Sequence, residues 1–265
     1  MGRWVGGRFD RSKFQDNNLI TFAPSWTEEQ QDWWHERMFE PFGIYPEELG
    51  EMLSASAPGA KAITMRNLSI ANDSFEIEVR GEIGETGRIW FHERGLDLQG
   101  AFFEARKMMI PPPDQGKGMG RLLMADLVDT ALRLNIRRIN IEAEKVGRYA
   151  WVNLGFLPER DSWNRIQVDI RRRLKMANRL SAEKMAAYLE VVDSSDVKAI
   201  REVASWRDMV DSHVEYDERG LPASVPLGPA LLLEGQTDWY GELDLENSQS
   251  MKIFHDYVRR SQNEV

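Results

Sequence analysis

The chain contains no cysteine, which excludes disulfides, thiolate metal ligands and a cysteine nucleophile in one observation. No metal is expected. Nor does any segment approach 18 uninterrupted apolar residues, the length that a membrane-crossing helix needs. The amino terminus, MGRWVGGRFD, lacks the apolar stretch of a secretory signal, and Gly6 stands where a myristoylation pattern wants Ser or Thr. The expectation is a soluble, cytoplasmic protein with no membrane partner.

Positive charge is outnumbered by negative overall and unevenly placed. The formal net charge is −9, yet residues 101–180 carry 16 Lys+Arg against 9 Asp+Glu. The middle of the chain is therefore the expected anion-binding part. A nucleic-acid partner is not expected, because phosphate-backbone affinity comes from clustered cations and counterion release. The acidic remainder suits an amine or a basic peptide better. At 265 residues the chain admits one large domain with an insertion, or one domain with appended helical segments.

What is present divides into four regions. Residues 1–60 read as an N-terminal helical segment: Trp33, Trp34, Met38 and Phe39 have helical spacing, Thr27 is an N-cap, and breaks are expected at Pro41 and near Pro46. From about residue 62 the period changes to two, as in FEIEVRG with Phe75, Ile77 and Val79 apolar. GRIWFHE and AFFEARKMMI continue an antiparallel meander. Next comes MGRLLMADLVDTALRLN, where Leu123, Leu127, Ala131 and Leu134 form one apolar helical stripe. RRINIEAE is then a short strand, and VGRYAWVNLGF a short helix stopping at Gly155. A meander leading into a strand-helix-strand crossover makes an α/β chain with a mixed sheet. Residues 61–160 form this core, 161–228 a helical insertion in which Ser181 and Glu183 make an imperfect capping box, and 229–265 the closing strands and a C-terminal helix.

One stretch carries chemistry: MMIPPPDQGKGMGRLLM, residues 108–124. Gly116, Gly118 and Gly120 lie between an apolar strand and an apolar helix, where unpaired N–H groups and the helix dipole favour an anion. The spacing is neither the P-loop nor the dinucleotide fingerprint.

Gln115-x-x-Gly118-x-Gly120 does resemble the pyrophosphate loop of the GNAT acetyltransferase superfamily, Gln/Arg-x-x-Gly-x-Gly/Ala, set between a strand and a helix. Leu154-Gly155-Phe156, one strand later, resembles the family's Leu-Gly-Phe. The resemblance covers roughly residues 62–157. It implies a GNAT-like acyl-CoA N-acyltransferase fold, acetyl-CoA or another acyl-CoA as cosubstrate, and an amine on a small molecule or protein as acceptor. A homodimer is compatible with it. By position, Met108 and Ile110 would pair their backbone with the pantetheine arm. Gln115, Gly116, Lys117, Gly118, Met119, Gly120 and Arg121 would cradle the pyrophosphate, with Lys117 and Arg121 adding side-chain charge.

Acyl transfer to an amine needs a base for the nitrogen's proton and an acid or donor for the departing thiolate. Glu104 stands eleven residues before Gln115, where histone acetyltransferases of the superfamily carry their catalytic glutamate. An acid within AFFEARKMMI is also unusual for a buried strand. The alternative is an outward-facing Glu104 paired with Arg106, two residues along the same face. Glu142, Glu144 and His92 are reserves. At the family's acid tyrosine this chain has Trp151, whose indole donates a hydrogen bond but is no acid near neutrality. Tyr149 lies about 200° away around the helix. Two other readings therefore stand beside the acetyltransferase: a degenerate module that binds ligand without catalysis, and an acyltransferase for longer chains, whose tunnel Met108, Met109, Met119 and Met124 could line.

Overall fold

The computed structural model describes residues 8–177, 179–235 and 237–260. Residues 1–7, on which the reading of the amino terminus partly rests, lie outside them. The described chain is mixed α/β and divides into two compact units, one up to Asn140 and one spanning Ile141–Arg260.

The first unit begins with strand β1 (Ile20–Ala23), whose buried Ile20 and Phe22 alternate with exposed residues. Helix α1 (Glu28–Trp34) starts at Thr27, where a full capping box with Gln30 satisfies two backbone donors reciprocally. A π-helical turn, His35–Phe39, carries it into α2 (Glu40–Phe42). Pro41 does not stop this helix. Gly43 does, with a left-handed φ of 69°, and α3 (Pro46–Met52) follows with its proline at the first turn.

Strands β2 (Lys61–Ser69), β3 (Ser74–Ile83), β4 (Arg88–Asp97) and β5 (Phe102–Met109) form the antiparallel meander. β1 joins its edge in parallel, with Ile20 opposite Ile63, so the sheet is mixed. The expected N-terminal helical segment thus also supplies a strand: the β-branched ITFA pairs through the sheet's open edge, which a local reading does not see. Phe75, Ile77 and Val79 turn inward as their period of two requires, and Phe75 packs on Trp34, whose Nε1 donates to the Ile44 carbonyl at 2.8 Å. Helix α4 (Met119–Arg133) buries Leu123, Leu127 and Ala131. Strand β6 (Arg138–Ala143) follows, and just before it Arg137 N–H donates to the Ala101 carbonyl at 3.0 Å.

In the second unit α5 (Gly147–Asn153) gives way at Gly155 (φ 89°) to the short strand β7 (Leu157–Pro158). Then come α6 (Arg160–Met176), α7 (Ala182–Val192) and α8 (Ala199–Ser205). Ser181 caps α7 alone, accepting from Lys184 N–H. The stretch 161–228 is not helical throughout: β8 (Met209–Tyr216) and β9 (Pro222–Pro226) form a hairpin. Asp217 sets its turn by accepting from the N–H groups of Arg219 and Leu221.

The expected strand character from residue 229 is also corrected. Leu227–Leu233 is helix α9, because Leu227 and Leu231 bury one helical face. The closing strand is β10 (Trp239–Asp244), antiparallel to β7 with Gly241 opposite Pro158. Helix α10 (Ser248–Arg260) ends the described chain. No described helix is long and apolar enough to cross a membrane.

Candidate anion-binding loop

The loop lies wholly in the first unit. β5 ends at Met109, and Pro111, Pro112 and Pro113 form a strut that fixes φ and offers no backbone donors. Gln115 closes the strut, its Nε2 donating to the Ile110 carbonyl at 2.9 Å. Gly116 and Gly118 both have left-handed φ, 77° and 86°, which a residue with a Cβ adopts only under strain. Gly118 is the N-cap of α4, and its carbonyl accepts from the N–H groups of Arg121 and Leu122 at 3.0 and 3.1 Å. Met119 and Gly120 stand before these, so their N–H groups have no intrahelical acceptor. They form the positive end of a 15-residue helix.

Gly120 has a different role. A Cβ there would lie 3.3 Å from Ile110 Cδ1 and 3.4 Å from Met108 Sδ. The helix start therefore seats directly on the end of β5. Space around Gly116 is open, with no atom within 4 Å of a Cβ built on it. The loop thus joins an exposed glycine to a tightly seated one, as a backbone surface for an anion requires.

Electrostatically the loop is pinned by a residue that the sequence reading passes over. Asp114 is buried and receives Arg88 Nε at 2.7 Å and Lys117 Nζ at 2.9 Å. The hydrogen bond from Arg88, and then that from Lys117, hold its carboxyl below the usual carboxylate range. Lys117, expected to add charge toward an anion, reaches back to Asp114 instead. Local signals for this clamp were the i,i+3 spacing of Asp114 and Lys117 alone, since Arg88 comes from β4.

Asp114 gives a pH test. A carboxyl whose folded pKa is depressed contributes stability that is present above its unfolded value of about 3.9 and lost as pH falls through the folded value. Asp114→Asn is expected to unfold at lower urea than wild type at pH 7. That difference should shrink steadily below about pH 4. Equal urea midpoints at pH 7 would show that the clamp does not hold the loop.

The other expected site residues divide between the units. Glu104, opposite Gly95 on β4, is 42% exposed, and its Oε2 accepts from Arg106 Nε at 2.7 Å. Arg106 also pairs with Glu76. This is the outward-facing arrangement. His92 is fully buried; burial, and then the nearby charge of Arg94, hold its imidazole well below its usual pKa, so it is neutral.

Trp151, Glu142 and Glu144 belong to the second unit. The Trp151 indole leans on Phe156, ring centres 5.1 Å apart, and its Nε1 lies 2.8 Å from where a Gly147 Cβ would stand. It is held as a packed aromatic of α5. Glu142 and Glu144 are exposed on and just after β6, and a hydrogen bond to Glu142 raises the Tyr240 phenol above its usual pKa. No cluster of metal-ligating side chains occurs among the described residues.

No protein-family profile matches the chain, and no curated protein matches it by sequence. Among solved structures, nourseothricin acetyltransferase is similar at 19% identity over 32% of this chain and 51% of that one, with a TM-score of 0.28. The PaiA N-acetyltransferase from Thermoplasma acidophilum in complex with coenzyme A is similar at 17% identity over 52% of this chain and 74% of that one, also with a TM-score of 0.28. The chain thus spans about half the length of the first of these.

Proposed function

We propose that the protein is a coenzyme A-dependent N-acyltransferase of the GNAT type that moves an acyl group, acetyl in the simplest case, from acyl-CoA to an amine. One observation carries the reading: two left-handed glycines, Gly116 and Gly118, lead into a helix N-terminus seated by Gly120 on the strand before it. The cosubstrate's pyrophosphate suits this backbone, because it needs several N–H donors at close approach and no side chain in the way. The Gln115-x-x-Gly118-x-Gly120 pattern resembles the family's at the same place.

In this reading the amine attacks the thioester carbonyl, its proton passes to a carboxylate, and the carbon–sulfur bond breaks to leave a thiolate that takes up a proton. Glu104 is the assigned base. All its described contacts run through Oε2, which leaves Oε1 to receive the amine's proton. The second reading, an acyl-CoA-binding module without catalysis, is favoured by the same ion pair: Glu104, Arg106 and Glu76 form a closed charged set on the sheet's outer face.

Calorimetric titration with acetyl-CoA, a long-chain acyl-CoA and free CoA, followed by a thiol-release assay with amines, separates these. Acetyl-CoA binding with thiol release supports the acetyltransferase, and preference for the long chain supports the tunnel variant. Binding without thiol release supports the non-catalytic module. Absence of all binding overturns the proposal.

A further inference from the structure

Arg94 is a buried charged residue that the anion loop does not use. It is 1% exposed on the inner face of β4, between the buried His92 and Leu96. No carboxylate is among its described partners, and its Nε and Nη2 have no hydrogen-bond partner among the described residues. Burial pushes its pKa down to about 9. A buried, uncompensated guanidinium costs stability, and well-packed apolar replacements of buried charges are commonly neutral or stabilising. A residue so placed calls for a task.

The hydrogen bonds that it does make point to one. Arg94 Nη1 donates to the Glu93 carbonyl at 3.1 Å and to the Lys107 carbonyl at 3.4 Å. These carbonyls belong to two strands, and they flank the one register shift between β4 and β5. Glu93 lies opposite Lys107 and Arg94 opposite Ala105, so Arg106 is an extra residue, a β-bulge. On the outer face that extra residue is tied to Glu104 and Glu76. On the inner face Arg94 bridges the gap.

The bulge decides which side chains meet the anion loop. Phe103 and Ala105 point inward, so an unbroken period of two would send Lys107 and Met109 into the core. Beyond the bulge Met109 is 43% exposed, Lys107 lies over the Phe91 ring on the outer face, and Met108 sits opposite the buried His92. Met108 and Ile110 are thereby the residues on which Gly120 seats. A slip of one residue would reverse these faces.

We infer that Arg94 is a positioning residue, which holds the β5 bulge in register so that Met108 and Ile110 support the glycine loop. Its link to ligand binding rests on the acyl-CoA reading, whereas its link to strand register does not. The test uses Arg94→Met and Arg94→Lys in the full chain, read by thermal unfolding, amide hydrogen exchange and calorimetry with free CoA.

Arg94→Met should unfold at the same or a higher temperature than wild type, since a buried cation has gone. Exchange should nevertheless quicken about tenfold at the amides of 107–110, and CoA affinity should fall about tenfold, the scale of losing one charge-assisted hydrogen bond. Arg94→Lys, which keeps a cationic donor, should recover part of both. A merely structural arginine would instead lower the unfolding temperature and quicken exchange across the unit. That result, or unchanged exchange at 107–110, overturns the inference. Should Arg94→Met not fold, Arg94→Lys decides by the same readings, with exchange at 107–110 between wild type and the core-wide limit supporting the role. If wild type binds no CoA, the acyltransferase reading fails while the exchange result still decides this one.

Discussion

Gly118→Val is expected to weaken acyl-CoA binding by at least about 100-fold while the protein remains folded. The reason is conformational. Gly118 holds φ 86° at the N-cap of α4, and a β-branched residue in that region costs roughly 1–3 kcal/mol. To relieve it the chain must rotate the peptide groups on either side, which turns the loop's N–H groups away from the anion. Each lost hydrogen bond to a charged group is worth about 1.5–3 kcal/mol, and 1.4 kcal/mol is tenfold in affinity. A Cβ at this position would also stand 3.0 Å from Arg121 Nη2. Gly118→Ala, with a smaller strain, should fall between wild type and valine. Calorimetry with acetyl-CoA, beside circular dichroism to confirm the fold, measures both. Affinity within twofold of wild type for the valine variant would remove the loop from the binding site.

Glu104→Gln should lower turnover by about 10²–10⁴-fold, the usual worth of a positioned general base, with acyl-CoA affinity little changed. The amide keeps the size of the side chain and can still accept from Arg106, but it cannot take a proton. The fold should not suffer, because an ion pair this exposed contributes about 0–1 kcal/mol and Arg106 retains Glu76. Raising the pH should restore part of the rate, since more of the acceptor amine is then already neutral. Steady-state rates from pH 6 to about 10, against the amine's ordinary range near 10.4, give the comparison. Full activity of the variant at every pH would remove Glu104 as base and leave it as the outer anchor of the bulge. If wild type binds acyl-CoA and releases no thiol with any amine, the non-catalytic reading takes its place.

Much of this protein was determined by local pattern. The apolar stripe Leu123, Leu127 and Ala131 makes a one-sided helix wherever it lies, and the period of two in Phe75, Ile77 and Val79 makes a strand with one buried face. Thr27 and Ser181 are caps because a hydroxyl three residues before a free N–H can reach it. The glycines at 116 and 118 announce backbone that turns left-handed. These features depend on neighbours within one turn or one pleat, so sequence alone specifies them.

Tertiary structure decided the rest. GPALLLE satisfies helix and strand about equally as a short apolar run, and its helical form was settled by packing, with Gly228 pressed against the carbonyls of Val203 and Ala204. The clamp on Asp114 needs Arg88, 26 residues earlier, and the face that Met108 presents depends on a bulge between two strands. Lys117 read as a free cation until the fold put a buried carboxylate within its reach. Arg94 carried no sequence signal at all, because burial of a charge is a property of what surrounds it. Local chemistry specified where backbone would be offered to an anion. Only long-range packing specified which side chains hold that backbone still.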